Sequence, residues 1–296
     1  MRQIKHSLKR ITPDKIWHQL FITRRLAREM KKQFKRFLNF PSFYLSMPYM
    51  KATAKKRALP DFLIIGAQKG GTSFFLRLLA QHPQIHAPGP EVHYFDKEFN
   101  YKKGELWYRS HFPLKSVLSP GDLVGEKTPD YLFFPNAAKR IQMDLPNAKL
   151  ICLLRNPTER AISNYFMAVR GGRESLPIME ALITEEARYG SSGYGHRSYK
   201  RRGLYLEQIK RYENYFNKNK LLILSSEEFF ANPQKILKQV FKFLGVDETF
   251  VCPNLSFRNV GKNKVPVPSE VYEYLDKYFK PHNRRLYSYL NRDFGW

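Results

Sequence analysis

Residues 61–73 read Asp61-Phe62-Leu63-Ile64-Ile65-Gly66-Ala67-Gln68-Lys69-Gly70-Gly71-Thr72-Ser73, and this stretch decides the fold. Four consecutive apolar residues, bounded by Pro60 and Gly66, predict a strand buried on both faces, as in a parallel sheet. From Thr72 the period changes. Phe75, Leu78 and Leu79 fall at i, i+3 and i+4, which predicts a helix over 72–81. The turn between strand and helix carries glycines, which let a backbone approach an anion closely. The N–H groups and dipole at the head of the following helix favour negative charge there. Lys69 adds a full positive charge, and Thr72 and Ser73 add hydroxyl donors.

The turn is a phosphate loop, but a poor triphosphatase loop. Gly66 and Gly71 have the Walker A spacing, yet Thr72 stands where that motif has lysine. The next strand of this kind ends in Arg155, not in a metal-binding aspartate. That strand is Lys149-Leu150-Ile151-Cys152-Leu153-Leu154. Arg155-Asn156 makes a turn, and Pro157 suits the first position of a helix reaching about Val169. Further on, 204–216 reads as a helix, 221–224 as a buried strand, and 233–244 as an amphipathic helix closed by Gly245. Alternating strands and helices predict an α/β fold: a single P-loop-like domain over 60–296, its central parallel sheet flanked by helices. Ligands of such sheets bind beyond the carboxyl ends of the strands. The turns after Ile65 and Leu154 are therefore the candidate sites.

Composition narrows the function. The chain has 296 residues, 43% hydrophobic and 15% aromatic, which argues for a packed body and against disorder. Its two cysteines, Cys152 and Cys252, cannot form a disulfide framework, and they suit a reducing compartment. No Cys/His cluster has zinc spacing. The net charge is +25, and residues 1–59 concentrate it, with 16 Lys and Arg against Asp14 and Glu29. Such charge attracts nucleic acid, anionic lipid, acidic polysaccharide or a phosphorylated cofactor without choosing among them. The apolar stretch 37–48 is too short for a membrane span and is interrupted by Asn39 and Pro41. The N-terminus lacks the apolar core of a signal peptide. Residues 1–59 form a basic helical extension, read either as peripheral to an anionic membrane or as simply solvated.

Family resemblance sharpens these readings. Residues Pro60 through Ser73 resemble the 5'-phosphosulfate loop of sulfotransferases that use 3'-phosphoadenosine 5'-phosphosulfate (PAPS). Leu78-Leu79-Ala80-Gln81-His82-Pro83-Gln84-Ile85 is similar to the segment that follows it. The resemblance implies that Lys69, Gly70, Gly71, Thr72 and Ser73 hold the donor. A guanidinium at a strand end and a hydroxyl two turns into the next helix can clamp a phosphate. The run Leu153-Leu154-Arg155-Asn156-Pro157-Thr158-Glu159-Arg160-Ala161-Ile162-Ser163-Asn164-Tyr165 resembles the family's 3'-phosphate site, which implies that role for Arg155 and Ser163. Arg160 is read as pointing elsewhere, into an ion pair with Glu159 or another acid.

Glu91-Val92-His93-Tyr94-Phe95-Asp96 offers two carboxylates and an imidazole. On an extended segment Glu91 and His93 share a face and Asp96 takes the other. Alone, Glu91 reads as a surface glutamate. The segment is similar to the Glu-x-His-Phe-Phe-Asp run of heparan sulfate 3-O-sulfotransferases and their bacterial relatives. That implies Glu91 as general base, with His93 and Asp96 supporting it or touching the acceptor. Gly125-Glu126-Lys127-Thr128-Pro129-Asp130-Tyr131 looks like the family's Glu-Lys-(Thr/Ser)-Pro-x-Tyr segment. It implies Lys127 beside the transferring group, sharing that work with Lys69 and reaching the acceptor. Glu126 is left open between Lys127 and a nearby arginine, and Glu227 is assigned no chemistry. Near the end, Asn259-Val260-Gly261-Lys262-Asn263-Lys264 resembles a loop over the donor, which implies Gly261 with Lys262 or Lys264 at the 3'-phosphate; the usual Lys-Gly-Arg is absent. The whole resemblance implies sulfuryl transfer from PAPS, leaving PAP, to a hydroxyl or amine of a carbohydrate, with no metal. It also implies a cytoplasmic enzyme, since the animal relatives' anchor and disulfide are missing. The competing readings are a P-loop kinase and a basic nucleic-acid-binding protein, and no nucleic-acid motif supports the second.

Overall fold

The computed structural model describes residues 48–87, 90–192, 197–256 and 266–296. Most of the basic extension, and the loop with Gly261 and Lys262, lie outside the described residues. A compact unit runs from Thr53 to Trp296.

Five parallel strands form its sheet in the order β2-β3-β1-β4-β5. They are β1 (Phe62–Gly66), β2 (Ile85–His86), β3 (Leu123–Lys127), β4 (Lys149–Leu154) and β5 (Leu221–Ser225). Phe62 lies opposite Gly125 of β3 and Lys149 of β4. The helices that position the site are α1 (Thr72–Leu79), α2 (Glu98–Tyr101), α3 (Glu105–Arg109), α4 (Ala137–Asp144), α5 (Pro157–Arg170), α6 (Ile178–Ile183), α7 (Glu185–Ser192), α8 (Tyr205–Glu213), α9 (Ser226–Ala231), α10 (Pro233–Leu244) and α11 (Ser269–Leu290).

The two-residue period of a strand sorts β1 and β4 between two cores. Leu63, Ile65, Leu150, Cys152 and Leu154 join Ile141 of α4 and Ile209 and Tyr212 of α8 on one face. Phe62, Ile64, Ile151 and Leu153 join Phe75, Leu78 and Leu79 of α1 and Leu237, Val240 and Phe241 of α10 on the other. Both faces are covered, so these strands read as unbroken apolar runs. Ala161, Ile162 and Tyr165 of α5 pack against Val271, Leu275 and Phe279 of α11 in a third cluster.

Helix ends follow local chemistry. Asn156 caps α5, its Oδ1 accepting from the N–H groups of Thr158 (2.9 Å) and Glu159 (3.3 Å), with Pro157 at the first position. Asn232 and Pro233 do the same for α10, and Gly245 ends it in the left-handed conformation. The sequence reading lacks two strands, the two-residue β2 and the longer β3. Gly125 and two charged residues break its apolar run, yet the Phe62 ring lies so close over Gly125 that a Cβ there would sit 2.2 Å from it.

The chain builds β1, β2 and β3 to one side and then returns to lay β4 on the other side of β1. The order reverses at β1, which puts the turns after β1, β3 and β4 at the switch point where such sheets take ligands.

Candidate active site

The turn after β1 carries the first group of expected residues. Gly71 caps α1 with φ 89°, and a Cβ on it would meet the Phe230 ring at 2.7 Å. A Cβ on Gly70 would lie 2.5 Å from the Leu153 carbonyl oxygen. Both positions therefore need glycine, and the glycines hold the loop down against β4. Thr72 is buried and Ser73 is exposed at the head of α1, where the first N–H groups of a helix lack intrahelical partners. Lys69 itself has φ 73°, uncommon for a side-chain-bearing residue.

Arg155, at the end of β4, meets this loop directly. Its Nη1 donates to the Lys69 carbonyl oxygen at 3.2 Å, and its Nη2 pairs with Glu159 at 3.1 Å. The Arg155–Asn156 backbone is gripped from behind. The Tyr205 hydroxyl donates to the Arg155 carbonyl oxygen (2.7 Å), and Glu227 Oε1 accepts from the Asn156 N–H (2.8 Å). Trp296 backs both grips: its Nε1 donates to Glu227 Oε2 at 3.2 Å and its ring lies 5.9 Å from that of Tyr205. Glu227 thus has a structural task that links β5 to the turn after β4. Ser163 lies half-buried on α5.

Arg160 departs from expectation. It forms no ion pair with Glu159, whose partner is Arg155. Its side chain is fully buried and donates to Asn164 Oδ1 (3.2 Å) and the Tyr199 carbonyl oxygen, while its Nε has no partner. The reason is position: on α5 it falls on the face packed inward, with Ala161 and Asn164, rather than on that of Glu159. Burial lowers its pKa to about 10. The Lys69 ammonium is also pushed below its ordinary range, by burial first and then by the charges of Arg170, Arg155 and Arg160. Four cations crowd one region, and a buried guanidinium among them has no carboxylate partner among the described residues. Such a site stabilises an anion. Arg170, at the end of α5, belongs to this field and escapes a motif-based reading.

The second group converges on Lys127. Its Nζ donates to Ser73 Oγ at 3.0 Å and to Glu91 Oε1 at 2.5 Å, so one ammonium joins the phosphate loop to the carboxylate. His93 Nε2 lies 3.4 Å from Glu91 Oε2, and His93 Nδ1 bonds Asp96 Oδ2 at 2.7 Å. The segment is a turn, not the extended run expected. His93 takes φ 53°, which swings Asp96 beneath the imidazole instead of onto the opposite face. The Asp96 side chain has 0% exposure, so an acceptor reaches it only through His93; direct substrate contact by Asp96 is corrected accordingly. Burial drives the Glu91 carboxyl up, but hydrogen bonds from His93 and Lys127 and the charge of Lys127 overcome it and bring its pKa to about 2. Burial pushes His93 down, while its bonds to Asp96 and Glu91 raise it further, to about 9.

Asp130, the unassigned position of the Glu-Lys-Thr-Pro-x-Tyr run, ties the groups together. Its Oδ1 accepts from Arg202 Nη1 (2.7 Å) and from Gln68 Nε2 in the phosphate loop (2.9 Å), and its Oδ2 lies 3.9 Å from His93 Nδ1. His93, Asp96 and Asp130 place three ligand-type atoms within 4.8 Å of one another. Here His93 Nδ1 already meets Asp96, and the Arg202 guanidinium already meets Asp130. Glu126 pairs with neither Lys127 nor any arginine among the described residues. It is buried and accepts hydrogen bonds from the hydroxyls of Tyr108, Thr128 and Tyr131.

Known proteins share this architecture. Residues 59–285 match the family model described as "Sulfotransferase domain". Human heparan sulfate glucosamine 3-O-sulfotransferase 6 is 32% identical over 264 residues, which cover 81% of this chain and 75% of that protein. The membrane-associated sulfotransferase kil1 of Dictyostelium discoideum is 29% identical over 321 residues, covering 82% of this chain and 67% of that one. A solved sulfotransferase from Alicyclobacillus acidocaldarius superposes with a TM-score of 0.69 at 32% identity, over 80% of this chain and 98% of its own. Nothing in these matches favours a kinase or a nucleic-acid-binding protein. Loop, cation cluster and match over most of the chain agree, and the chain belongs to the sulfotransferase family, enzymes that move a sulfuryl group onto an acceptor hydroxyl.

Proposed function

We propose that the donor is PAPS and that Glu91 is the general base of an in-line transfer. The observation that carries this reading is the Lys127 ammonium held between Ser73 of the phosphate loop and Glu91. It puts the donor loop and the base within reach of one cation. The charges gathered around Lys69, those of Arg170, Arg155 and Arg160, fit a ligand with concentrated negative charge.

Lys69, Gly70, Gly71, Thr72 and Ser73 would hold the 5' end of the donor through backbone N–H groups, hydroxyls and charge. Arg155 and Ser163 would hold its 3'-phosphate, with Gly261 and Lys262 as further contacts. When bound, PAPS supplies the sulfuryl group, which bonds to the acceptor oxygen as its bond to the 5'-phosphate breaks. Glu91 Oε1 takes the acceptor's proton. A carboxylate with a pKa near 2 is a weak base, and Lys127 and His93 are what keep it there. Withdrawal of the Lys127 ammonium toward negative charge on the Ser73 side frees Oε1 and raises its proton affinity. Base strength is thereby tied to occupation of the donor site. Lys127 and Lys69 neutralise charge developing on the leaving side, as preorganised cations do. His93, kept protonated by Asp96, holds the second Glu91 oxygen. No metal is needed for these steps.

The acceptor we propose is a carbohydrate hydroxyl or amine, supported by the 3-O-sulfotransferases among the relatives. We also propose that 60–296 is the enzyme domain and that 1–59 serves as a basic extension, its residues from Thr53 belonging to the compact unit and those before it able to touch an anionic membrane from the cytoplasmic side. The decisive experiment incubates the protein with radiolabelled PAPS and a panel of glycans, lipids and small amines, without divalent metal. Label on a glycan is the expected result. Labelling that requires magnesium, or transfer only from ATP, would overturn the reading.

A further inference from the structure

Among the buried ionisable groups that the mechanism above leaves without work is a carboxylate close to the site. Glu126, on β3, is 2% exposed and fully enclosed. Its Oε1 accepts from Thr128 Oγ1 and from the Tyr131 hydroxyl, both at 2.7 Å, and its Oε2 accepts from the Tyr108 hydroxyl. A hydroxyl has one hydrogen and two lone pairs. Because Thr128 and Tyr131 spend their hydrogens on Glu126, their lone pairs must face elsewhere. They face the turn that carries Glu91. The Tyr94 N–H donates to the Tyr131 oxygen at 3.1 Å, and the His93 N–H lies 3.4 Å from Thr128 Oγ1. This is the backbone that carries the left-handed His93. Asn100 Nδ2 holds the same turn from its other side, at the His93 carbonyl oxygen (3.0 Å).

We infer that Glu126 is a positioning residue: it fixes the hydrogen direction of Thr128 and Tyr131, and through their oxygens fixes the backbone that aims Glu91 at the acceptor. The inference rests on the reading of Glu91 as base. It explains why a carboxylate, and not an apolar residue, is buried in the middle of β3. A donor-only group at Oε1 would force both hydroxyls to reverse and present hydrogens to N–H groups.

The geometry separates the possible substitutions. Tyr131→Phe and Thr128→Val are nearly isosteric and remove one acceptor each. Glu126→Leu removes the hub. Glu126→Gln can keep its oxygen toward Thr128 and Tyr131 while its amide donates to the Tyr108 oxygen. Two measurements are made on each variant: amide hydrogen exchange of the peptide spanning 91–96, and steady-state turnover alongside PAP affinity. Tyr131→Phe should exchange faster in that peptide and lose about ten- to a hundredfold in kcat, with PAP affinity within about twofold of wild type. Thr128→Val should change in the same direction by less, since its bond is longer. Glu126→Gln should stay within about threefold of wild-type turnover, a rescue that a merely space-filling role would not require of Gln over Leu. Unchanged exchange in Tyr131→Phe overturns the inference. So does faster exchange with unchanged kcat, or a parallel loss of PAP affinity. Failure of the base assignment shows separately, as full turnover by Glu91→Gln, whose 91–96 exchange should match wild type.

Discussion

Lys127 has one ammonium and two acceptors, Ser73 Oγ and Glu91 Oε1, and much of the proposed chemistry reduces to how it divides its bonds. Glu91→Gln should lower turnover by at least about a hundredfold, the scale of a lost general base, while PAP affinity measured by calorimetry stays near wild type. Lys69→Ala should weaken both, because Lys69 lies in the donor loop. His93 gives a pH signature. Its folded pKa of about 9 exceeds the ordinary 6.5, so its contribution to stability is complete below pH 6.5 and disappears as pH rises through about 9. Melting temperature should therefore decline across that window, and His93→Gln should flatten the decline. Glu91 works in the opposite sense. With a folded pKa of about 2 against 4.5, its contribution is present above pH 4.5 and is lost as pH falls toward 2. At this scale the sequence singled out side chains that the fold brings together: Glu91 meets both Lys127 and His93. What it could not supply were partners set by burial: the Asp96 carboxylate under His93, the inward Arg160, and Asp130 with Arg202, which are 72 residues apart in the chain.

Among elements, the turn between β4 and α5 is held from three separate places: the Asn156 cap, Tyr205 at the start of α8, and Glu227 with Trp296 behind it. Removing the cap with Asn156→Ala should cost about 1 kcal/mol in chemical denaturation and loosen Arg155. Trp296→Ala leaves every donor contact in place yet removes the support of Glu227. It should weaken PAP binding by several fold, roughly one lost hydrogen bond's worth, with the acceptor KM unchanged. The elements most legible in the sequence were those with strong local signals. Strand β4 matches its expected limits, and α10 begins at Pro233 and closes at Gly245 as read. Strand β3 was illegible because its stability comes from its neighbours: Gly125 contributes nothing to pack with, and the Phe62 ring fills its place.

For the molecule as a whole, the parallel sheet with its order reversing at β1 brings three loops to one edge; alternation of strands and helices was enough to foresee a parallel sheet and the turns after Ile65 and Leu154, but not the strand order or the loop after β3. The +25 charge was equally plain, but only folding showed that part of it is focused at Lys69. That focus has a solution signature. PAP at a hundred times its dissociation constant should stabilise the fold by about 2.7 kcal/mol, visible as a rise in melting temperature without magnesium. The rise should shrink as salt is added, because exposed charges are screened over about 10 Å at 0.1 M. A rise that appears only with magnesium would contradict the cation-only site.

Lys69 and His93 share an oddity: each carries a side chain where the backbone favours glycine. The fold accepts that local penalty, about 1 kcal/mol at each, at two positions that face the reaction. Selection for heat resistance alone would drift toward glycine at Lys69 and give a sturdier, silent protein, whereas His93 offsets its penalty through its bonds to Asp96 and Glu91. Variants improved for industrial hardiness should therefore be sorted by product formed before they are ranked by the temperature they survive.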